Sequence, residues 1–278
     1  MLLDVLDEQL LHTVRSALVE DIGSGDISAE LIPADRQAQA TVTTREQAIV
    51  CGMAWFNAVF AELDSTIRID WYVRDGDAVA AGEALCTLSG PARALLSGER
   101  TALNFLQTLS ATATLARRYA DAVSGLPTRI LDTRKTIPGL RSAQKYAVRT
   151  GGCTNHRHGL YDAYLIKENH IAAAGSITEA VIRARRNNPA VLLEVEVENE
   201  TQLEEALQAG ADRLLLDNHS LSALKKAVDT VAGRVELEAS GNATLDNVRD
   251  IALTGVDFIS TGSLTKNIKA IDLSMIFE

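Results

Sequence analysis

Cysteine is scarce in this 278-residue chain and poorly spaced for pairing. Cys51, Cys86 and Cys153 form an odd set with no CxxC pair, which argues against a disulfide framework or a cysteine zinc site. Positive charge is in deficit, with 27 Lys and Arg against 37 Asp and Glu and a net charge of −10. A nucleic-acid backbone, which needs a basic surface, is therefore not the expected partner. No apolar run approaches the roughly 20 residues of a membrane span, and Met1-Leu2-Leu3-Asp4 lacks the basic start of a signal peptide. The expected setting is cytoplasmic and reducing. A hydrophobic content of 46% over this length suits one large or two medium folded domains.

Against that acidic background one segment stands out. Residues 129–170 hold eight Arg or Lys and three His but only three acids. A local excess of cations in an acidic chain points to a small anionic ligand, because a cleft's own field matters more to such a ligand than total charge. Its polar words are Asp132-Thr133-Arg134-Lys135-Thr136, Gly151-Gly152-Cys153-Thr154-Asn155-His156-Arg157 and Leu165-Ile166-Lys167-Glu168-Asn169-His170.

The two parts of the chain follow different patterns. The first hundred residues mix an amphipathic helix around Asp4 to Glu20, a Gly-rich bend at Gly23–Asp26, and strand-like runs at Ala40 to Thr44 and Ile67 to Val73. A long helical stretch from about Pro91 to Val123 follows, with a break expected near Ser97-Gly98. From Arg129 onward six apolar runs alternate with helical segments: Arg129 to Leu131, Tyr164 to Ile166, Val191 to Val197, Arg213 to Leu216, Val235 to Ala239, and Asp257 to Ser260. That alternation predicts parallel βαβ units, either an open doubly wound sheet or a barrel of fewer than eight strands. The residues after these runs, including Thr133-Arg134-Lys135, Lys167, Asp217-Asn218, Ser240-Gly241-Asn242 and Thr261-Gly262-Ser263, would converge on one mouth. Glu194, Glu196 and Glu198 share one face of their run, unusual for a buried strand unless that face meets solvent or a ligand.

Simpler readings remove some candidates. His156 and His158 at i,i+2, with no third ligand nearby, do not make a metal site. Cys153 has no orienting partner and reads as a packed bystander. Residues 75–85 resemble the strand-turn pattern of biotinyl and lipoyl carrier domains, but the following turn, Leu88–Arg93, has no lysine to modify.

Taken in order, these words resemble the quinolinate phosphoribosyltransferase family. The match runs from Glu20-Asp21-Ile22-Gly23-Ser24-Gly25-Asp26 through Ser97-Gly98-Glu99-Arg100-Thr101, Asp132–Thr136, Asn155-His156-Arg157, Ile166–His170 and Glu194–Glu198. It continues through Leu216-Asp217-Asn218, Glu238-Ala239-Ser240-Gly241-Asn242 and Thr254–Ser260, covering essentially the whole chain. The resemblance implies an N-terminal α/β sandwich domain over 1–110, with the tail 270–278 available to pack with it, and an incomplete parallel α/β barrel over 111–269. It also implies transfer of a phosphoribosyl group from phosphoribosyl pyrophosphate to quinolinate, with loss of carbon dioxide. A non-decarboxylating enzyme acting on an aromatic monocarboxylate is the alternative, but that site should need fewer cations.

The resemblance further implies roles. Arg100, Arg134 and Arg157 would clamp the two carboxylates of quinolinate, helped by Lys135 and His156, since guanidinium forks meet carboxylates bidentately. Thr133 belongs to the same binding loop. Lys135, Lys167, Glu196 and Asp217 would be catalytic, with Glu196 and Asp217 near the ribose and Mg²⁺, through water or directly. Ser240, Gly241, Asn242, Thr261, Gly262 and Ser263 would cradle the 5′-phosphate on close backbone and helix N-termini. A homodimer is expected, Arg100 reaching the neighbouring site.

Overall fold

A computed structural model describes residues 2–278, with side chains from residue 8 onward. The chain divides into two compact units: residues 1–117, 137–152 and 267–278 form the first, and residues 118–136 and 153–266 the second. The units thus interleave along the chain. The sequence reading set boundaries at 110/111 and 269/270, with the tail available to the first part; the helix Arg141–Thr150 also belongs to the first unit because its Ala143 and Ala147 enter that unit's core.

The first unit is built on helices α1 (Leu2–Ile22), α2 (Met53–Leu63) and α3 (Ala92–Ala122) and on strands β1 (Gln37–Thr44), β2 (Ala48–Ile49), β3 (Arg68–Trp71), β4 (Ala78–Val79) and β5 (Ala84–Pro91). Its main sheet is antiparallel, in the order C-terminal strand (Leu273–Phe277), β1, β5, β3. The register places Val42 opposite both Met275 and Cys86, and Ile69 opposite Leu88. Period-2 alternation turns these side chains onto the face covered by helices. Phe56, Phe60, Leu88, Leu95, Leu103, Leu106 and Leu109 form the buried centre, each contributing about 1.5–3 kcal/mol of transfer free energy.

The expected helix break near Ser97-Gly98 does not occur: α3 runs unbroken from Ala92 to Ala122. Gly98 is there for proximity. A Cβ at this position would lie 2.7 Å from a ring carbon of Phe60 and 2.8 Å from Leu63, so only glycine lets α3 and α2 approach this closely.

The second unit contains six parallel strands, β6 (Arg129–Leu131), β7 (Tyr164–Ile166), β8 (Leu193–Val197), β9 (Arg213–Asp217), β10 (Glu236–Ser240) and β11 (Phe258–Ser260). Their order is β6-β11-β10-β9-β8-β7. Sequential strands lie side by side from β7 to β11 without the reversal of a doubly wound sheet, and β6 adds beyond β11. This is the winding of a barrel left open between its first two strands. Thr154 partly fills that gap by bridging to Leu131 in parallel.

The strand registers sort the barrel residues into two faces. Leu193, Val195, Val197, Leu214, Leu216, Leu237, Ala239 and Ile259 alternate onto one face, are apolar and buried, and meet the surrounding helices. Leu165, Glu194, Glu196, Arg213, Leu215, Asp217, Glu238, Ser240, Phe258 and Ser260 are in register on the other face and fill the barrel. Helix starts are marked by side-chain caps: Ser176, Asn199 and Ser220 accept the backbone N–H of Glu179, Gln202 and Ala223. Asp217-Asn218 lies just before that last helix, and Ser220 does the capping.

Candidate active site

At the C-terminal ends of the barrel strands lies a cleft of about 360 Å³, lined by Thr133, Arg134, Lys135, His156, Arg157, Leu165, Lys167, Leu215, Glu238, Ser240 and Ser260. Seven of these are residues singled out from sequence. Leu165, Leu215, Glu238 and Ser260 are additions, all inward-facing strand positions whose signal was the period-2 register itself.

Two buried anchors shape the cationic loops. Asp132, fully buried, accepts the Asn155 side-chain amide at 2.6 Å and the His156 N–H at 2.8 Å, locking the second loop to the end of β6. The Thr133 hydroxyl accepts the Lys135 N–H at 3.0 Å, and the Thr265 hydroxyl donates to the Lys135 carbonyl at 2.8 Å. Gly262 makes room for this arrangement, since a Cβ there would come within 2.8 Å of the Lys135 side chain. The guanidinium of Arg157 donates to the Ala163 carbonyl at 3.2 Å. Burial and the neighbouring Arg134 charge both pull Arg157 below its usual pKa. Cations held this close favour a bound anion.

Beneath them is a cluster that no local sequence word announced. Glu194 and Glu238 are completely buried, and His156 Nε2 lies 2.9 Å from the first and 3.4 Å from the second. Burial opposes charge on His156, but the two acids facing its Nε2 outweigh it and push the ring up to about 9. Burial pushes Glu194 up to about 7, with the Glu238 charge adding and His156 opposing. Burial acts the same way on Glu238, yet His156 and the Ser260 hydroxyl hold it below the usual carboxylate range. The three groups titrate as a unit. The Arg157 N–H donates to His156 Nδ1 at 2.7 Å, which requires a lone pair on that nitrogen. The raised proton affinity therefore belongs to the cluster as a whole, with Nε2 and the two acids, rather than Nδ1, facing one another to hold its protons. Their ligand atoms all lie within 4.8 Å, so the partners that His156 lacked in sequence come from β8 and β10.

The remaining candidates fall around the rim. Lys167, at the end of β7, forms an ion pair with Glu196. Asp217 accepts the Asn218 side-chain amide at 2.7 Å. Asn218 also donates its N–H to the Ser240 carbonyl at 2.9 Å and accepts from the Asn242 side chain at 3.4 Å, lacing the loops after β9 and β10 together. Gly241, at φ +101°, fits because a Cβ would lie 2.2 Å from the Asn218 side-chain oxygen. The Asn242 turn does not open a helix; the next begins at Val248. Thr261 is buried and donates its hydroxyl to the Ala243 carbonyl at 3.1 Å, so this group serves the fold, whereas Gly262 directly precedes the helix starting at Ser263.

Arg100 belongs to the first unit and is exposed on α3. The acidic word before it organises that helix. Asp26 accepts the Ser28 and Ala29 N–H groups, both at 3.0 Å, and the Ser97 hydroxyl at 2.8 Å. These bonds hold its carboxyl below the usual range, the Ala29 bond contributing most. The Thr101 hydroxyl donates to Asp21 at 3.3 Å.

Comparison with known proteins agrees with this geometry. Residues 26–110 match the family described as quinolinate phosphoribosyl transferase, N-terminal domain, and residues 112–276 match its C-terminal domain. A Bacillus subtilis protein named probable nicotinate-nucleotide pyrophosphorylase (carboxylating) is 42% identical over 268 residues, covering 96% of this chain and 93% of the relative. Quinolinate phosphoribosyltransferase (decarboxylating) 1b of Nicotiana tabacum is 39% identical over 96% of this chain and 81% of its own. The solved nicotinate-nucleotide pyrophosphorylase of Francisella tularensis superposes with a TM-score of 0.95 at 48% identity, covering 98% of this chain and 96% of that one. With both domain families matched in order and the cations gathered at the mouth of an open barrel, the chain belongs to the quinolinate phosphoribosyltransferase family.

Proposed function

We propose that the barrel mouth is where this chain transfers a phosphoribosyl group from phosphoribosyl pyrophosphate to the ring nitrogen of quinolinate, releasing pyrophosphate and carbon dioxide and forming nicotinate mononucleotide. The observation that carries this reading is the convergence of Arg134, Lys135, Arg157 and Lys167 on one cleft. Two carboxylates on a flat ring call for several fixed cations, and planar guanidinium forks suit them.

In this scheme the bond from the ribose anomeric carbon to pyrophosphate breaks and one to the ring nitrogen forms. Positive charge grows on the ribose meanwhile. Glu196 and Asp217, on the same inward face at the strand ends, are suited to stabilise it electrostatically. The alkylated ring is then an electron sink, so the adjacent carboxylate leaves as carbon dioxide and the ring carbon takes up a proton. No covalent nucleophile is required; the protein holds the reactants in line. Ser240 and the glycines at 241 and 262 are the groups suited to receive the 5′-phosphate, with Asn242, Thr261 and Ser263 shaping those loops.

Glu196 and Asp217, now partnered by Lys167 and Asn218, offer oxygen atoms to a Mg²⁺ ion that would be held mainly by pyrophosphate and water. Bound there, Mg²⁺ would neutralise charge on the leaving pyrophosphate. The exposure of Arg100 supports a homodimer in which Arg100 of the partner subunit completes the site. Among the described residues no helix is long and apolar enough to cross a membrane; the unpaired cysteine spacing supports a cytoplasmic setting.

Incubating the protein with phosphoribosyl pyrophosphate, Mg²⁺ and either quinolinate or nicotinate tests the proposal. Carbon dioxide and nicotinate mononucleotide should form from quinolinate alone. Product from nicotinate alone would move the chain to the non-decarboxylating class.

A further inference from the structure

The reaction scheme makes no use of Glu194 and Glu238, although two buried carboxylates are costly to keep. Taking an ion out of water costs several kcal/mol even after relaxation. An apolar pair at these positions would pack the barrel more cheaply, as Leu215 does on the strand between them. The two acids reach inward from β8 and β10 and meet on a single atom, His156 Nε2. The other ring nitrogen accepts the backbone N–H of Arg157 at 2.7 Å. Both nitrogens of His156 are thus engaged by the protein, and the ring links the barrel floor to the backbone of a cation lining the cleft. From the other side, Asp132 holds the His156 N–H at 2.8 Å. Arg213, 3.8 Å from Glu238, is itself committed to Glu236 at 2.7 Å and stacked over Phe258 at 4.0 Å, so it does not replace the ring as the acids' shared partner.

We propose that Glu194 and Glu238 are positioning residues for acceptor binding: together they clamp the His156 ring with its proton on Nε2, and through Nδ1 they fix the Arg157 backbone so that its guanidinium stands ready for an acceptor carboxylate. This rests on the reading of the cleft as the quinolinate site. The hydrogen-bond geometry dictates the tautomer, because a ring that accepts at Nδ1 must donate from Nε2. It also assigns His156 a different part from that of the surrounding cations. It orients a ligand-binding residue as well as lining the cleft.

The first arm of the test needs no turnover. Nitrogen-15 NMR of the histidine side chains in the intact protein should show His156 with an unprotonated Nδ1 and a protonated Nε2. The opposite tautomer, or a ring protonated on both nitrogens, would overturn the proposal even if the enzyme proves active on quinolinate. Elemental analysis belongs with it, since one tightly held transition-metal ion per chain, lost in Glu238→Gln, would make the cluster a metal site instead.

In the second arm, Glu194→Gln and Glu238→Gln should raise the KM for quinolinate roughly tenfold or more, the scale of a lost charge-assisted hydrogen bond. The KM for phosphoribosyl pyrophosphate should stay near its original value. Equal rises in both constants would indicate general loosening of the barrel and refute a positioning role, as would tighter quinolinate binding, which would make the acids a field opposing the dianion. If the amides fail to fold, Glu238→Asp, which keeps the charge but shortens the reach, should still show the selective rise. If no acceptor turns over at all, the functional reading fails while the tautomer result stands by itself.

Discussion

The large side chains most deeply buried in the first unit are mainly apolar, Phe56, Phe60, Leu95, Leu106 and Leu109, with Lys145 and Gln144 as polar exceptions, whereas the interior of the barrel buries Asp132, Glu194 and Glu238 just as completely. At the same depth of burial the balance differs, mostly hydrocarbon in the first unit and paired acids in the barrel. In the first unit an antiparallel sheet gives one face to helices, and hydrocarbon fills the space between. In the barrel the apolar face of every strand turns outward to the helices, which supply the hydrophobic stabilisation from outside. The interior is thereby released for charged groups, provided each finds a partner. Stability and chemistry are assigned to different faces of the same strands.

That contrast can be broken by substitutions on either side. Leu106→Ala, in the centre of the first core, should cost about 2–5 kcal/mol of stability, the usual cost of a buried Leu truncation. It should leave the KM for quinolinate unchanged; denaturant titration alongside steady-state kinetics would decide. Arg134→Ala should behave in the reverse sense. Loss of a bidentate carboxylate contact is expected to weaken quinolinate binding by about 2–3 kcal/mol, with phosphoribosyl pyrophosphate binding much less affected and the melting temperature nearly unmoved. Equal losses for both ligands in titration calorimetry would remove the role assigned to it.

Smaller effects sharpen the picture. Gly98→Ala drives a Cβ to within 2.7 Å of the Phe60 ring and should cost about 1–3 kcal/mol by overpacking, despite alanine's better helix propensity. A stabilised variant in the same denaturant assay would show that α2 and α3 have slack. Ser220→Ala removes the cap on the helix after β9 and should cost about 1 kcal/mol. Activity should be retained, because the cap faces the helix rather than the cleft; a large change in kcat would tie this helix to the site more closely than its bonds suggest.

Much of this was legible in the residues themselves. The six barrel strands were found by their apolar runs; β6 and β7 match the expected spans and the other four differ by a residue or two at their ends, as with β8, which begins at Leu193 rather than Val191. The cations after β6 and β7 line the cleft as expected. Gly98 was read as a break because glycine disfavours helix, yet its neighbour in space is Phe60, about forty residues away in the chain, and no local rule can weigh that contact. Thr261 and Gly262 read as a phosphate loop, but one hydroxyl is tied to Ala243 and the glycine also makes room for Lys135.

What the sequence by itself determined is what short-range periodicity encodes: the alternation of strand and helix, the apolar outer face of each strand, and the cations placed where strands end. Only the tertiary structure decided that His156 meets Glu194 and Glu238. Those residues lie on a loop and on two strands separated by a third, and the register of parallel strands, set by hydrogen bonding across the whole sheet, brings their side chains to one point.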